Sequence, residues 1–523
     1  MVRRELKLSG VMDEGGDQAP PSERFSTYLI LSYCVLVAIC WLIFPAFFIA
    51  GDSYFYLVTA RNLALTGRQS FSGIYPTNGL HPLWLYCLSA YSWLVSLVDA
   101  KLLYNPAYAA PLPAIFLILG TLSLRRTARS LQAPFAFLAL PPVCFLTIFG
   151  MLYSEAHLYY FSLSLLSALA TEKGRGGLRR HLAVGAAAGL VFLSRLDSVF
   201  FVAAFYVWYL VFTRSWVRTM VAGLITSVPA LAYMAFNYFY FGGVVTVSGW
   251  LKSSFPRIQI SGISYNPPVN LGLAGYQVLF GIIPILAAAT IALISRKAFH
   301  GNRSIIWAFL AGAVLHWLQV SLFTTGFTLW YWYYVLPMVL AGMALAVQAG
   351  EATRLGGRSK AFAMIVILCS LVTVGYIKIN LGPEKLAGSS SYKTLSYIRM
   401  NHLNGQTILV SEWPGMAAFY TDNHIIAADM LTSNRIFIKE MIRSGNALDY
   451  IIRYCNAHGH ELDYIIYNGG KWLRPTPDNR ELVYYDPKLT PLEYREAGRL
   501  RVGPPIYSVT SPRLIVWKLG NGP

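Results

Sequence analysis

The sequence predicts an α-helical polytopic membrane protein of about eleven transmembrane helices. Juxtamembrane helices are expected in its first outer loop, and a small C-terminal α/β domain outside the membrane. Three observations lead there. Apolar runs of roughly 17–25 residues, enough to cross about 30 Å of hydrocarbon, recur from Tyr28 to about Lys378. The 523 residues are 55% hydrophobic and 13% charged, with a mean hydropathy of +0.48, which rules out a chain of ordinary soluble domains. Beyond residue 381 the pattern changes: Thr407-Ile408-Leu409-Val410, His424-Ile425-Ile426-Ala427, Tyr464-Ile465-Ile466-Tyr467 and Leu514-Ile515-Val516-Trp517 read as strands. Gly415 to Tyr420 reads as a helix between the first two.

Charge sets the crossings. Basic clusters stand at Arg3/Arg4/Lys7/Arg24, Arg125/Arg126/Arg129, Lys173/Arg175/Arg179/Arg180, Arg214/Arg218, Arg296/Lys297/Arg303 and Arg354/Arg358/Lys360. Placing all of them in the cytoplasm demands an even number of crossings between successive clusters. Spans near 28–50, 107–124, 132–150, 156–171, 182–194, 198–213, 219–240, 271–294, 304–323, 327–349 and 360–380 meet that demand. Leu83 to Val98 would break it if it crossed, so this run is read as a helix lying on or dipping into the outer face. The chain then divides into a cytoplasmic segment 1–27, a transmembrane domain 28–381 with a first outer loop 51–106, and an extracytoplasmic domain 382–523.

The net charge of +18 does not point to nucleic acid, because the Lys and Arg residues sit in short links between apolar runs. The six cysteines form no CxxC and no disulfide framework, so no zinc or redox chemistry is expected. A polar stretch before Tyr28, without a short h-region and small-residue cleavage site, argues for a retained first span. The run Leu329-Trp330-Tyr331-Trp332-Tyr333-Tyr334 reads as an aromatic belt or, more sharply, as a surface for stacking on a sugar. Asn302-Arg303-Ser304 is the one glycosylation sequon and falls in a predicted cytoplasmic link. A bacterial inner membrane is therefore expected, with the active site and C-terminal domain on the periplasmic face.

The chemistry is expected in the outer loops. After the first span, Asp52, Tyr56, Thr59, Asn62 and Thr66 recur near helical spacing and end at Gly67. Asp52 heads this stripe, where it can cap the helix, act as a base, or do both. Pro76, Asn78-Gly79 and Pro82 make a constrained turn that brings Asn78 and His81 to membrane depth, either as loop stitching or as ligand contacts. Arg195 and Asp197 interrupt a long apolar run, and each would cost roughly 2.5–3.5 kcal/mol at mid-membrane. A helical hairpin with both at its outer turn avoids that cost, the two serving either as an ion pair that holds the turn or as substrate contacts. Lys252 and Arg257 stand singly in another outer loop, as phosphate contacts or as interface anchors.

These segments in order resemble the bacterial GT-C glycosyltransferases, multispan enzymes that use polyprenyl-phosphate sugars. The run from Gly51 to Gly67, followed by Tyr75 to Trp84, looks like the family's first periplasmic loop. Gly150-Met151 through Glu155 is similar to its Gly-Met-Glu segment, with extra residues before the Glu. Ser194-Arg195-Leu196-Asp197 is similar to its Arg-x-Asp turn, and Tyr240-Phe241-Gly242-Gly243 through Lys252 to its Phe-Gly loop ending in Lys. The resemblance implies a sugar transferase with Asp52 as general base. It implies Tyr56, Asn78, His81, Glu155, Arg195, Asp197, Lys252 and Arg257 as substrate contacts, the phosphate being met by Lys252 with Arg195 or Arg257.

The expected partners are a polyprenyl-phosphate sugar donor, a glycan, lipid or protein acceptor, and membrane lipids. No resident cofactor is expected, and a divalent metal is left open. The family often carries two adjacent acids after the first span; here the first is Gly51, which weakens any metal site built on a pair. A transporter or lipid flippase, and a non-catalytic assembly subunit, are the competing classes. Transporters tend to be built from two related halves, and no such repeat is visible.

Overall fold

A segment that crosses hydrocarbon must satisfy every backbone N–H and C=O within the chain, so apolar runs of this length become helices. The computed structural model describes residues 21–49, 51–149, 152–172, 177–258, 277–295, 299–324, 331–351, 364–368, 389–489, 494–510 and 513–519. Its first helix, α1 (Pro21–Ile43), stops short of the predicted residue 50. Pro45 is the cause: it lacks an N–H and disfavours helical geometry in the residue before it, and a 3-10 turn, Pro45–Phe47, follows.

The first outer loop holds α2 (Gly51–Thr66) and α3 (Pro82–Asp99). The bundle continues through α4 (Pro111–Leu131), α5 (Phe135–Phe149), α6 (Ala156–Thr171), α7 (Leu178–Ser194), α8 (Val199–Thr213) and α9 (Trp216–Phe241). Then come a short α10 (Val247–Lys252), α11 (Ile283–Ile294), α12 (Ile305–Leu322) and α13 (Val335–Glu351). Among the described residues seven helices are long and apolar enough to cross a membrane, and two more are apolar but shorter. The chain is a multi-pass membrane protein. Of the predicted span 360–380, all but 364–368 lies outside the described residues, as does the 381/382 boundary.

By length and composition Pro82–Tyr104 would pass for a span. Its two ends place it along one face instead. At its start, Leu196 N–H donates to His81 Nδ1 at 3.4 Å. At its finish, the Tyr104 ring lies 4.3 Å from the Arg61 guanidinium. That guanidinium in turn donates to the carbonyls of Phe419 (3.0 Å) and Ala418 (3.2 Å) in the C-terminal domain. Both ends meet the side of the bundle that carries that domain.

The C-terminal domain begins with α14 (Ser390–Met400), β1 (Thr407–Val410), α15 (Gly415–Tyr420) and β2 (His424–Ala427). It continues with α16 (Arg435–Arg443), α17 (Ala447–Ala457), β3 (Leu462–Tyr467), β4 (Leu473–Pro475), β5 (Glu481–Tyr485), β6 (Glu496–Arg501), β7 (Tyr507–Thr510) and β8 (Arg513–Lys518). The main sheet runs β2-β1-β3-β8-β7, and a separate sheet holds β4-β5-β6. β1 lies parallel to β2 and β3, whereas β8 is antiparallel to β3.

The predicted strands read as unbroken apolar runs because both faces of the sheet are buried. Ile408, Val410, Ile425, Ile466, Leu514 and Val516 join the core that contains Tyr54 and Phe55 of α2. Their neighbours Leu409, Ile426, Ile465, Ile515 and Trp517 pack with Phe437 and Ile438 of α16 and Leu448 and Ile451 of α17. The domain thus shares one core with the bundle.

The loop after β2 clamps the first outer loop. Asn78 N–H donates to Ser433 O at 3.3 Å, and Asn434 Nδ2 donates to Pro76 O at 2.8 Å. A Cβ on Gly79 would fall 1.7 Å from Leu431 O. Asn78-Gly79, read as a turn signal, thus also marks a close approach of two backbones. Gly79→Ala is expected to cost about 1–3 kcal/mol, the usual range for overpacking, seen as a lower unfolding midpoint in detergent.

Candidate active site

The site grows from Glu155, which immediately precedes α6. The preceding backbone is tied down: Leu152 N–H donates to Phe48 O at 3.1 Å, Trp84 Nε1 donates to Tyr153 O at 2.7 Å, and Ser53 Oγ donates to Leu152 O. Tyr153 takes a left-handed φ of 69°, a conformation that turns the chain sharply before Glu155. Glu155 Oε2 accepts from the Tyr56 hydroxyl (3.0 Å), and Oε1 accepts from Arg195 Nη1 (3.1 Å). His81 Nε2 faces the same Oε1 at 3.6 Å. Because His81 Nδ1 accepts from Leu196 N–H, the proton of a neutral ring sits on Nε2, toward Glu155. Burial holds that imidazole below its usual value, against the opposing pull of Glu155.

Arg195 is fully committed. Its Nε and Nη2 donate to the two oxygens of Asp197 at 2.9 and 3.0 Å, and Nη1 also donates to Trp332 O at 3.2 Å. Its guanidinium lies 4.1 Å from the centre of the Tyr333 ring, and the residue is 1% exposed. Asp197 Oδ2 meets His316 Nε2 at 3.1 Å. The Arg-x-Asp turn, the start of α6 and the 331–334 turn are thereby locked together.

Two further charged groups stand beside this saturated network. Asp52, in the first turn of α2, and Lys252, the last residue of α10, line one cavity together with Tyr56, His81, Glu155 and Tyr333. Lys252, His81 and Tyr333 also line an adjoining cavity that reaches Asp197 and Gln319. Asp52 makes no hydrogen bond or salt bridge with any described residue. Burial pushes its carboxyl above the ordinary range; Lys252 opposes that shift and Glu155 adds to it. For Lys252, burial works against the charge, but Tyr333, Asp52, Asp429 and Glu155 outweigh it and hold the ammonium above the ordinary lysine range.

The C-terminal domain supplies the far wall, through Leu431 and Thr432. Close behind, Asp429 is pushed up to about 7, by burial first and by Asp52 in addition, although Leu431 N–H bonds it at 3.0 Å. The domain also explains Gly51. A Cβ there would come within 2.4 Å of the Trp413 ring, so the position of the missing acid is taken by an aromatic side chain.

It also braces α10. Lys488 Nζ donates to Trp250 O (2.5 Å) and Ser253 O (2.6 Å), two carbonyls at the end that carries Lys252. Arg435 lies 5.0 Å from the Trp250 ring. Lys488→Met is expected to leave the fold intact but to raise the KM for a phosphate-bearing donor about tenfold, the scale of one charged hydrogen bond. Recovery in Lys488→Arg would mark the effect as one of position.

Of the residues singled out from sequence, Asp52, Tyr56, His81, Glu155, Asp197 and Lys252 line these two cavities. Asn78, Arg195 and Arg257 line neither. Asn78 Oδ1 accepts from Val247 N–H at 3.2 Å and its amide donates to Asn237 Oδ1 at 3.4 Å, so it stitches the first loop to α9 and to the start of α10. Arg257 is exposed beyond α10. The polar stripe of α2 is split: Asp52 and Tyr56 face this site, while Asn62 and Thr66 line a second cleft. Gly150 and Met151 lie outside the described residues. Sequence reasoning missed Ser248, Asp429, Trp413, Thr432 and Lys488; for the last four no local signal exists, since a distant domain brings them in. Among the described residues no group of three or more His, Cys, Asp or Glu side chains is arranged to hold a metal ion.

No family model matches the chain, and no curated protein matches it. Solved structures do. The crystal structure of ArnT from Cupriavidus metallidurans, bound to undecaprenyl phosphate, aligns with a TM-score of 0.54 at 13% identity over 95% of this chain and 99% of that one. The structure of the arabinofuranosyltransferase AftD from mycobacteria aligns with a TM-score of 0.46 at 15% identity, covering 96% of this chain and 40% of that one. The ArnT match shows that the chain shares the fold of that structure.

Proposed function

We propose that this chain is a glycosyltransferase that moves a sugar from a polyprenyl phosphate to an acceptor hydroxyl, on the periplasmic face of a bacterial inner membrane. The observation that carries the reading is the pairing of Asp52 and Lys252 in one cavity. There the carboxylate is free of hydrogen bonds to described residues, while its neighbour Glu155 is saturated. Undecaprenyl phosphate in the ArnT structure supports a lipid phosphate as the leaving group. The acceptor oxygen attacks the anomeric carbon and loses its proton to Asp52. The bond from that carbon to the phosphate oxygen breaks, and its electron pair leaves with the lipid phosphate. Lys252 meets the charge that develops there, as a point charge. A single displacement inverts the anomeric configuration. Glu155 holds Tyr56 and His81 in place, and Arg195 holds Glu155.

Incubating the purified protein with radiolabelled polyprenyl-phosphate sugars and a membrane extract tests the proposal. Time-dependent movement of label into a glycan, lipid or protein fraction is expected. Donor that crosses a vesicle bilayer intact would point to a flippase instead. Donor left untouched would point to an assembly subunit. Against the latter, Gly51 has a packing reason in Trp413 and needs no loss of catalysis to account for it.

A further inference from the structure

A second and separate opening lies at the seam between the first outer loop and the C-terminal domain. It is a cleft of ≈ 530 Å³, lined in part by Arg61, Asn62, Arg68, Tyr104, Asp422 and His424. Part of this lining builds the wall. Arg61 is spent on the carbonyls of Ala418 and Phe419, and Asn62 Nδ2 donates to Ser70 O at 2.8 Å and Phe71 O at 3.3 Å. His424 Nδ1 bonds Ser72 O at 3.0 Å, which leaves Nε2 for another partner. Thr66, Ser70, Thr421 and Asn423 are likewise bonded to backbone carbonyls, whereas the Arg68 guanidinium, the Tyr104 hydroxyl and the Asp422 carboxylate make no hydrogen bond with a described side chain or backbone group.

These groups differ in kind, and the difference selects a ligand. Arg68 can only donate, Asp422 can only accept, and the Tyr104 hydroxyl does both. A phosphate would use Arg68 but be repelled by Asp422. A cation would be repelled by Arg61 and Arg68. A ligand rich in hydroxyls, each of which both donates and accepts, satisfies all three. The cleft shares α2 with the catalytic cavity: at 1.5 Å per residue, Asn62 lies about 15 Å along the helix from Asp52. The buried rings of Phe55 and Phe71, with centroids 5.2 Å apart, form a wall that the two openings share.

We infer that this cleft binds carbohydrate, and that its occupant is the non-reacting part of a glycan acceptor whose terminal hydroxyl is presented to Asp52. The assignment of the occupant as acceptor rests on the glycosyltransferase reading; the assignment of the cleft as a saccharide site does not. Binding energy from remote sugars is available to position the reacting one, so a longer acceptor turns over faster than a short one.

The test uses the full chain in detergent, with Arg68→Ala/Asp422→Ala as the variant, since both side chains are exposed. The probes are oligosaccharides released from the native cell envelope by mild acid, with a methyl monosaccharide as the short control. By calorimetry without donor, the wild type is expected to bind the oligosaccharides and the variant to bind them about tenfold or more weakly, the scale of one charge-assisted hydrogen bond. Equal binding by both, or none by the wild type, overturns the cleft. In the transfer assay, kcat/KM for the oligosaccharides is expected to fall by a similar factor and that for the methyl glycoside to stay level. Equal losses on both acceptors, or label moving solely to protein, overturns the acceptor role. Saccharide binding that the variant abolishes, in a wild type that turns over no donor, overturns the glycosyltransferase reading and upholds the cleft.

Discussion

Asp52→Asn is expected to lower sugar transfer by about 10²–10⁴-fold, the usual contribution of one well-placed general base. The variant keeps the shape of the side chain and loses the proton acceptor. Membrane insertion and unfolding midpoint should match the wild type, because Asp52 makes no hydrogen bond with a described residue that the amide would break. The pH dependence follows from the same environment. Burial raises the carboxyl above its ordinary range, and a base must be deprotonated to act. The rate is therefore expected to rise with pH through that raised value, which puts the acidic limb of the profile above about pH 4. Turnover unchanged in Asp52→Asn would remove the base assignment. An acidic limb at the ordinary carboxylate value would remove the burial argument.

Arg195→Met is expected to act on stability more than on binding. Its guanidinium joins Glu155 and Asp197, and the residue is 1% exposed. Removing one partner from a buried ion pair costs about 3–5 kcal/mol, because the remaining charges stay buried without compensation. Glu155 would then release its hold on Tyr56 and His81. A fall of that size should appear as a much lower unfolding midpoint in detergent and as loss of activity with it. Wild-type stability together with weakened lipid-phosphate binding would return Arg195 to the phosphate-contacting role that its sequence neighbourhood allowed.

Much of this molecule was legible in its sequence, for identifiable reasons. Span helices announce themselves because hydrocarbon forbids any other use of an apolar run, and the starts and stops of α6, α8 and α12 fall within a residue of the expected positions. The early stop of α1 was missed because hydropathy weighs Pro45 as one more apolar residue. Asp52 was visible at the head of a polar stripe, Lys252 as a solitary charge in an outer loop, and Glu155 through the family resemblance. The fourth wall was not visible. Asp429, Thr432, Trp413 and Lys488, each more than 150 residues further along than Lys252, reach the site through the docking of the C-terminal domain, and nothing local marks them. Gly51 shows the same limit: in sequence it is a missing acid, and in three dimensions it is the space that Trp413 fills.

The account turns on transfer at the Asp52–Lys252 cavity. Its most direct measurement is a single-turnover experiment with purified protein, undecaprenyl-phosphate sugar labelled in both halves, and acceptor-containing membrane extract. The account predicts that free undecaprenyl phosphate and labelled acceptor appear in equal amounts, and that both fall together in Asp52→Asn. Donor that stays intact in the wild type, or sugar release that persists at full rate in Asp52→Asn, would contradict it.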